Sequence, residues 1–264
     1  MSMPLMGRRL FLTLPLGLLL KPLAQVGAEP LVHERAYAAD VAVLYDMLTF
    51  QLKGTIREAI DRRTGDYHVV IAGQGDSIAN RVESAGRLQG GRWTPLRSHS
   101  WFSVRGRLSR TDIDYDYGRS SITYRARSET FFLRKLRTVD DVVAIPAGRH
   151  VDDVVSAILN YADRLWPAEN GMLRTFVVRR NRAENEGPDD VSAAYRAEIA
   201  PLEAKVISEP QNGKSSALFD LSPFSSWIRP ARPARILFGT DRRPELITTT
   251  LILGSSVTIK FGGA

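Results

Sequence analysis

The sequence predicts a mainly β protein: a curved antiparallel sheet, a half-barrel or open barrel, packed on one amphipathic helix. Three observations predict it. Short apolar runs recur along the chain between turn residues such as Arg63-Thr64-Gly65-Asp66, Gly90-Gly91 and Asp116-Tyr117-Gly118-Arg119. Only residues 152–166 carry a helical stripe, with Val154, Val155, Ile158, Leu159, Ala162, Leu165 and Trp166 on one side. No repeat of fixed period occurs, which argues against solenoids and propellers.

The elements follow in order. Residues 1–28 read as a cleavable signal peptide: Arg8 and Arg9, an apolar run from Leu10 to Leu20, then Val26-Gly27-Ala28 as a small-residue cleavage site. A second such site is Ala36-Tyr37-Ala38. The apolar run is too short for a span, which takes about 20 residues, so no stable membrane span is expected after cleavage. Arg8-Arg9 suits either the general secretory or the twin-arginine route. Residues 29–264 then form a single exported β-rich domain, expected in the periplasm.

Val41–Leu52 has strand character and Gly54 reads as its break. Thr55–Ile60 and Tyr67–Ala72 read as a hairpin, and Gly73-Gln74-Gly75-Asp76 as the next turn. Ser77–Leu88 alternates weakly. Pro95 calls for an edge position or a bend in the strand that follows. Strands continue through Ser100–Leu108, Asp112–Asp116 and Ile122–Ala126. The helix has Asp152 and Asp153 at its N-terminus and Pro167 as its stop. Strands resume at Leu173–Arg179 and Tyr195–Ile207, Asn212-Gly213 makes a turn, and Pro223–Pro233 reads as an extended loop. Leu246–Leu253 and Ser256–Phe261 form a final pair.

The chain has no cysteine. Disulfides, thiolate zinc sites, thiol nucleophiles and a lipid-anchored N-terminal cysteine are therefore excluded. Net charge is +7, and loss of Arg8, Arg9 and Lys21 with the signal peptide takes it to +4. That charge is spread along the chain rather than clustered as a nucleic-acid interface would need, so no nucleic-acid partner is expected. There is no phosphate loop or dinucleotide fingerprint, and no cofactor is expected.

Catalytic patterns are weak. His33, His68, His99 and His150 are dispersed, with no metal-ligand spacing. Gly75-Asp76-Ser77 resembles the nucleophile segment of some lipases and esterases, but no histidine follows His150 to act as base. Asp112, Asp114 and Asp116 resemble the start of a calcium loop, but Tyr117 and Thr123 stand where glycine and glutamate are needed. Their spacing puts all three on one face of a strand, where Arg110, Arg119 and Arg125 would balance them.

The chain resembles a family of exported Gram-negative proteins that carries a domain of unknown function. The residues that carry the resemblance are Leu48 and Gly54, Gly65-Asp66-Tyr67, Asp116-Tyr117, Asp153-Val154-Val155-Ser156-Ala157 and Asp241-Arg242-Arg243-Pro244, in that order across about residues 40 to 262. The resemblance implies a curved antiparallel sheet similar in outline to the half-barrels of periplasmic lipoprotein carriers, which hold acyl chains in the concave face. It implies no activity and no site residues.

The expectation is a non-enzymatic periplasmic envelope protein that binds a lipid, an acylated molecule or another envelope component in a concave sheet. The ligand-binding residues expected are Val155, Leu159 and Trp166, with no catalytic and no metal residues. Two other classes stay open. One is an envelope hydrolase acting on glycan or ester, with Asp112, Asp114 or Ser77 converging on His68 or His99. The other is an interaction protein docking on a membrane complex or other envelope proteins through Trp227 and its neighbouring prolines.

Overall fold

The computed structural model describes residues 31–262 apart from 46, 167, 184, 210–213 and 229–231. The expected signal peptide, Pro167 and the Asn212-Gly213 turn lie outside the described residues. The described residues are mainly β, with one short helix among them. The first eight strands are β1 (Leu31–Val43), β2 (Leu48–Asp61), β3 (Asp66–Gly75), β4 (Ile78–Gln89), β5 (Arg92–Val104), β6 (Arg107–Asp116), β7 (Ser121–Glu129) and β8 (Leu136–Ala144). A two-residue β9 (Val151–Asp152) leads into α1 (Val154–Ala162). Then come β10 (Ala168–Glu169), β11 (Met172–Arg180), β12 (Ala197–Glu209), β13 (Lys214–Phe219), β14 (Ala234–Phe238), β15 (Pro244–Thr250) and β16 (Ser256–Phe261).

These strands make a single curved sheet. β1 to β8 meander in one direction by antiparallel pairing, and β10 to β16 meander back until β16 pairs with β1. β1 therefore sits inside the sheet, and Ala36-Tyr37-Ala38 lies in mid-strand, paired with Thr55, Gly54 and Lys53. The sheet curls until its ends meet. Asp141 Oδ2 of β8 accepts the Ala197 N–H of β12 at 3.1 Å. Ile122, Tyr124 and Val139 pack on Val178, Tyr195 and Ala197 across the seam. β9 adds a short parallel pairing, Val151 with Phe176, that covers part of the β11 edge.

Alternation dictates which face curls inward. Phe50, Leu52, Ile56 and Ile60 of β2 are buried while Gln51, Lys53 and Arg57 are exposed. Gly54 does not break this strand. It lies opposite Tyr37, and a Cβ there would come within 2.6 Å of the Tyr37 ring and 2.2 Å of the Ala72 carbonyl. Gly86 in β4 sits under Tyr67 in the same way. Gly73 and Gly75 likewise belong to β3, so the turn is shorter than expected and falls at Asp76-Ser77.

The weakly alternating 77–88 segment is a full strand, β4, because β3 and β5 pair with it along its length. Pro95 is fully buried in an interior strand rather than at an edge. The bend takes the form of a bulge: Ala85 faces Arg97 while Gly86 faces Pro95, leaving Leu96 as the extra residue.

α1 is shorter than the expected 152–166. Asp153 is its N-cap and makes a capping box with Ser156. The Ser156 N–H donates to Asp153 Oδ1 at 2.7 Å and the Asp153 N–H to Ser156 Oγ at 3.0 Å. The helix stops before Pro167 because Arg164 turns left-handed, with φ of 60°. The N–H groups of Arg164 and Leu165 then close back on the carbonyls of Tyr161 and Asn160. This is a Schellman termination with arginine in the place usually held by glycine.

Candidate functional site

On the inward side, α1 packs against β4, β5 and β9 and is anchored there by a buried polar node. Asp152, fully buried, accepts five hydrogen bonds. Oδ1 takes His150 Nε2 at 3.0 Å, Ser156 Oγ at 2.8 Å and Asn160 Nδ2 at 2.9 Å. Oδ2 takes Arg92 Nη2 at 3.0 Å and Thr175 Oγ1 at 2.6 Å. Asn160 also pairs with both backbone groups of Trp93, at 2.7 and 2.9 Å. Trp93 Nε1 donates to Asp163, which forks with Arg62. The helix is thus bolted to β5, β9 and β11 by groups whose hydrogen-bonding capacity is nearly saturated.

Asp153 beside it is different. Burial pushes its carboxyl above the usual aspartate range, outweighing its bonds from Ser156 and Ser84. Its Oδ2 and the Tyr115 hydroxyl are buried without partners. Burial first, and then the Asp153 charge, hold the Tyr115 and Tyr67 phenols above their ordinary value.

Three connected spaces occupy the concave face. The first, about 480 Å³, is apolar and is lined by alternate residues of β1, β2, β4 and β5, including Val41, Phe50, Leu52 and Val104, with Ile259 from the neighbouring β16 and with Trp227. The second, about 390 Å³, is also apolar and lies beside the helix. Val154, Ala157, Ile158 and Tyr161 face it from α1, and Val177, Leu202, Phe219 and Ile236 face it from β11 to β14. Val154 is 58% exposed and Phe102, on the first space, is 41% exposed. Both are large apolar side chains on the inward face that find no packing partner sufficient to cover them.

The third space, about 420 Å³, joins the other two. It shares Phe102, Ser109 and Trp227 with the first and Phe224 with the second. Its wall is basic, with Arg137, Arg179, Arg180 and Arg182. Arg137 and Arg182 hold down the 181–196 and 220–228 loops through the carbonyls of Gly187, Pro188, Asp190, Ser222 and Ser225. Arg180 forks onto Glu186 at 2.6 and 2.9 Å, and Arg179 meets Glu198 at 2.5 Å.

The helix residues expected to bind ligand are split by this geometry. Trp166 lines the second space. Val155 and Leu159 point the other way and are buried in the core with Tyr67, Val69 and Trp93. The cavity-facing residues are instead one helical step away, at 154, 157, 158 and 161. The stripe read from the sequence is wide enough to contain both faces, and periodicity alone does not say which one meets the sheet.

The other singled-out residues also have places. Asp112 contacts His99 and pairs with Arg110 at 2.9 Å, Asp114 pairs with Arg97 at 3.1 Å and Arg125 at 3.6 Å, and Asp116 with Arg119 at 3.7 Å. These form a solvated ladder on the convex face. His68 pairs with Glu83 at 2.9 Å. Ser77 sits at the β3–β4 turn, six positions along from Glu83, the register partner of His99. At about 3.3 Å per residue that is about 20 Å, beyond the reach of a serine–histidine pair. Trp227 packs edge-on against Phe131 at 5.3 Å and lines the first space. Among the described residues, no group of three or more histidine and acidic side chains is placed to hold a metal.

Among the described residues no helix is long and apolar enough to cross a membrane. No family model matches the chain, and no curated protein matches it. Among solved structures, it is similar to a beta-barrel-like protein of a domain of unknown function, DUF1849, from Brucella abortus. That likeness has 10% identity and a TM-score of 0.44, and it covers 89% of this chain and 97% of the other.

Proposed function

We propose that this chain is a non-enzymatic envelope protein that holds a lipid, an acylated molecule or another apolar envelope component inside its curved sheet. The observation that supports it is the pair of apolar spaces of about 480 and 390 Å³ on the concave face. Both fall in the range of small-molecule sites, about 300 to 1,000 Å³. Each is also well above the roughly 150 Å³ that suffices for an apolar cavity to take up benzene. Both also leave large apolar side chains such as Val154 and Phe102 uncovered on the inward face, as an apolar ligand would need.

The export reading of residues 1–28 adds the compartment: the periplasm, where acyl-bearing molecules must cross water between membranes. The full chain, purified natively from a Gram-negative periplasm, is extracted with organic solvent and the extract analysed by mass spectrometry. Acyl-bearing species present in molar proportion to protein are expected. A blank extract, together with no uptake of the neutral apolar dye N-phenyl-1-naphthylamine, overturns the reading.

A further inference from the structure

We propose that the arginine-lined space between the two apolar ones is a headgroup site, and that the ligand is an anionic amphiphile whose carboxylate or phosphate sits on Arg179 and Arg182. The inference rests on the proposed apolar carrier and names the chemistry of its ligand.

Charge is the first argument. Arg137, Arg179, Arg180 and Arg182 face three carboxylates, Glu186, Glu198 and, through Arg137, Asp189. Arg110 and Glu129 on the same wall are committed to Asp112 and Arg134. One positive charge is therefore left over in a half-buried space, where uncompensated charge is expensive. The crowding is felt locally: burial first, and then the neighbouring arginines, hold the Arg182 guanidinium below its ordinary value.

Hydrogen bonding is the second. The Nε–H groups of Arg179 and Arg182 are buried and have no acceptor, although the rest of each fork is engaged by loop carbonyls and Glu198. Unpaired buried donors are uncommon; Arg92 Nε at the Asp152 node is another, and what sets this pair apart is that both guanidinium groups line the same space. Guanidinium is also the side chain best matched to planar or tetrahedral oxyanions.

Position is the third. The arginines stand where the two apolar spaces meet, beside Phe224 and Trp227. An acyl tail in either space would bring its polar end to them.

The test is displacement of N-phenyl-1-naphthylamine from the full chain by dodecyl phosphate, dodecanol and inorganic phosphate. Dodecyl phosphate is expected to displace the dye about tenfold more strongly than dodecanol at low salt, as charge-assisted hydrogen bonds warrant, with the advantage shrinking as salt rises. Inorganic phosphate is expected to leave the dye in place. In R179Q/R182Q, with the dye still taken up as a check on the fold, the phosphate advantage is expected to vanish while dodecanol is unchanged.

Equal displacement by dodecyl phosphate and dodecanol in the parent chain overturns the headgroup site and leaves the apolar carrier standing. So does an advantage that survives in the double variant. Displacement by inorganic phosphate as strong as by dodecyl phosphate overturns the amphiphile in favour of a free anion. Failure of the dye to enter the parent chain sinks the carrier as well.

Discussion

The node around Asp152 and the arginines beside Trp227 both put formal charge inside one sheet, yet they are built in opposite ways. At Asp152 a single carboxylate meets five donors, and every one of them comes from an element that must be held in place. At the arginines the cations outnumber the acids and two Nε–H groups point at nothing. The first cluster fills its carboxylate and leaves one buried donor, Arg92 Nε, without an acceptor; the second leaves two such donors and an excess of cations. The balance of charge, rather than burial, separates a group that holds the fold from a group that waits for a partner. The convex ladder of Asp112, Asp114 and Asp116 makes the same point from outside, since each acid there has its arginine.

The comparison can be broken most sharply at Asp152. D152A leaves Arg92 buried and unpaired, strips Thr175 of its acceptor and takes one acceptor each from Ser156 and Asn160. Breaking such a pair costs about 3 to 5 kcal/mol, which in a chain of this size is a fall in Tm of about 10 °C. Calorimetry would read it, and a fall of under about 2 °C would show that the node is not what fixes the helix. Next in size is V154W, which places an indole in the space beside α1. It is expected to weaken uptake of N-phenyl-1-naphthylamine about tenfold with Tm nearly unchanged, by simple loss of room. Undiminished uptake would take that space out of the site.

Asp153 and Glu186 sharpen the comparison through pH. Burial raises the Asp153 carboxyl above its ordinary 3.8. A raised acid favours the folded state while protonated, so its contribution is best below 3.8 and is lost as pH climbs through the folded value. D153N keeps an N-cap oxygen and removes the buried charge. Its neutral-pH Tm is expected to equal or exceed the parent's, the reverse of its neighbour Asp152.

Glu186 titrates with the opposite sign. Burial acts to raise it, but the bonds and charge of Arg180, with Arg137 and Arg182 behind, win and hold it below its ordinary 4.5. Its contribution is therefore full above 4.5 and disappears as pH falls through the lower folded value. Acid unfolding followed by circular dichroism should be less steep in E186Q, and an identical acid limb would show that the pair does not support the basic wall. The smallest effect is expected on the convex face. D112N should change stability by under about 1 kcal/mol, and a larger loss there would mean the ladder is structural.

Much of this architecture is legible in the residues. The alternation of Phe50, Leu52, Ile56 and Ile60, the turn at Gly65-Asp66 and the lone amphipathic segment together specify a curved antiparallel sheet on one helix. The departures are physical. Gly54 and Gly73 look like breaks because a glycine's role as the floor under the Tyr37 ring depends on a neighbour strand. The 77–88 segment looks weak because its partners, not its own pattern, make it a strand. Arg164 ends α1 early through backbone closure that no side-chain pattern announces. The candidate site was less legible. The helical stripe is plain in the residues, but periodicity alone does not say that Val155 and Leu159 pack into the core while 154, 157, 158 and 161 face the space. Arg179, Arg180 and Arg182 stand together in the sequence at the end of a strand, but their excess over nearby acids appears only when β7, β8 and the 181–196 loop are folded against them.

The central claim is that the concave face of this sheet is a ligand site rather than an imperfect core. A crystal structure of the full chain grown with dodecyl phosphate tests it most directly. The account predicts a tail lying in an apolar space beside Trp227, with phosphate oxygens within hydrogen-bond distance of the guanidinium groups of Arg179 and Arg182. Spaces filled by repacked side chains, or a ligand bound only on the convex face, would contradict it.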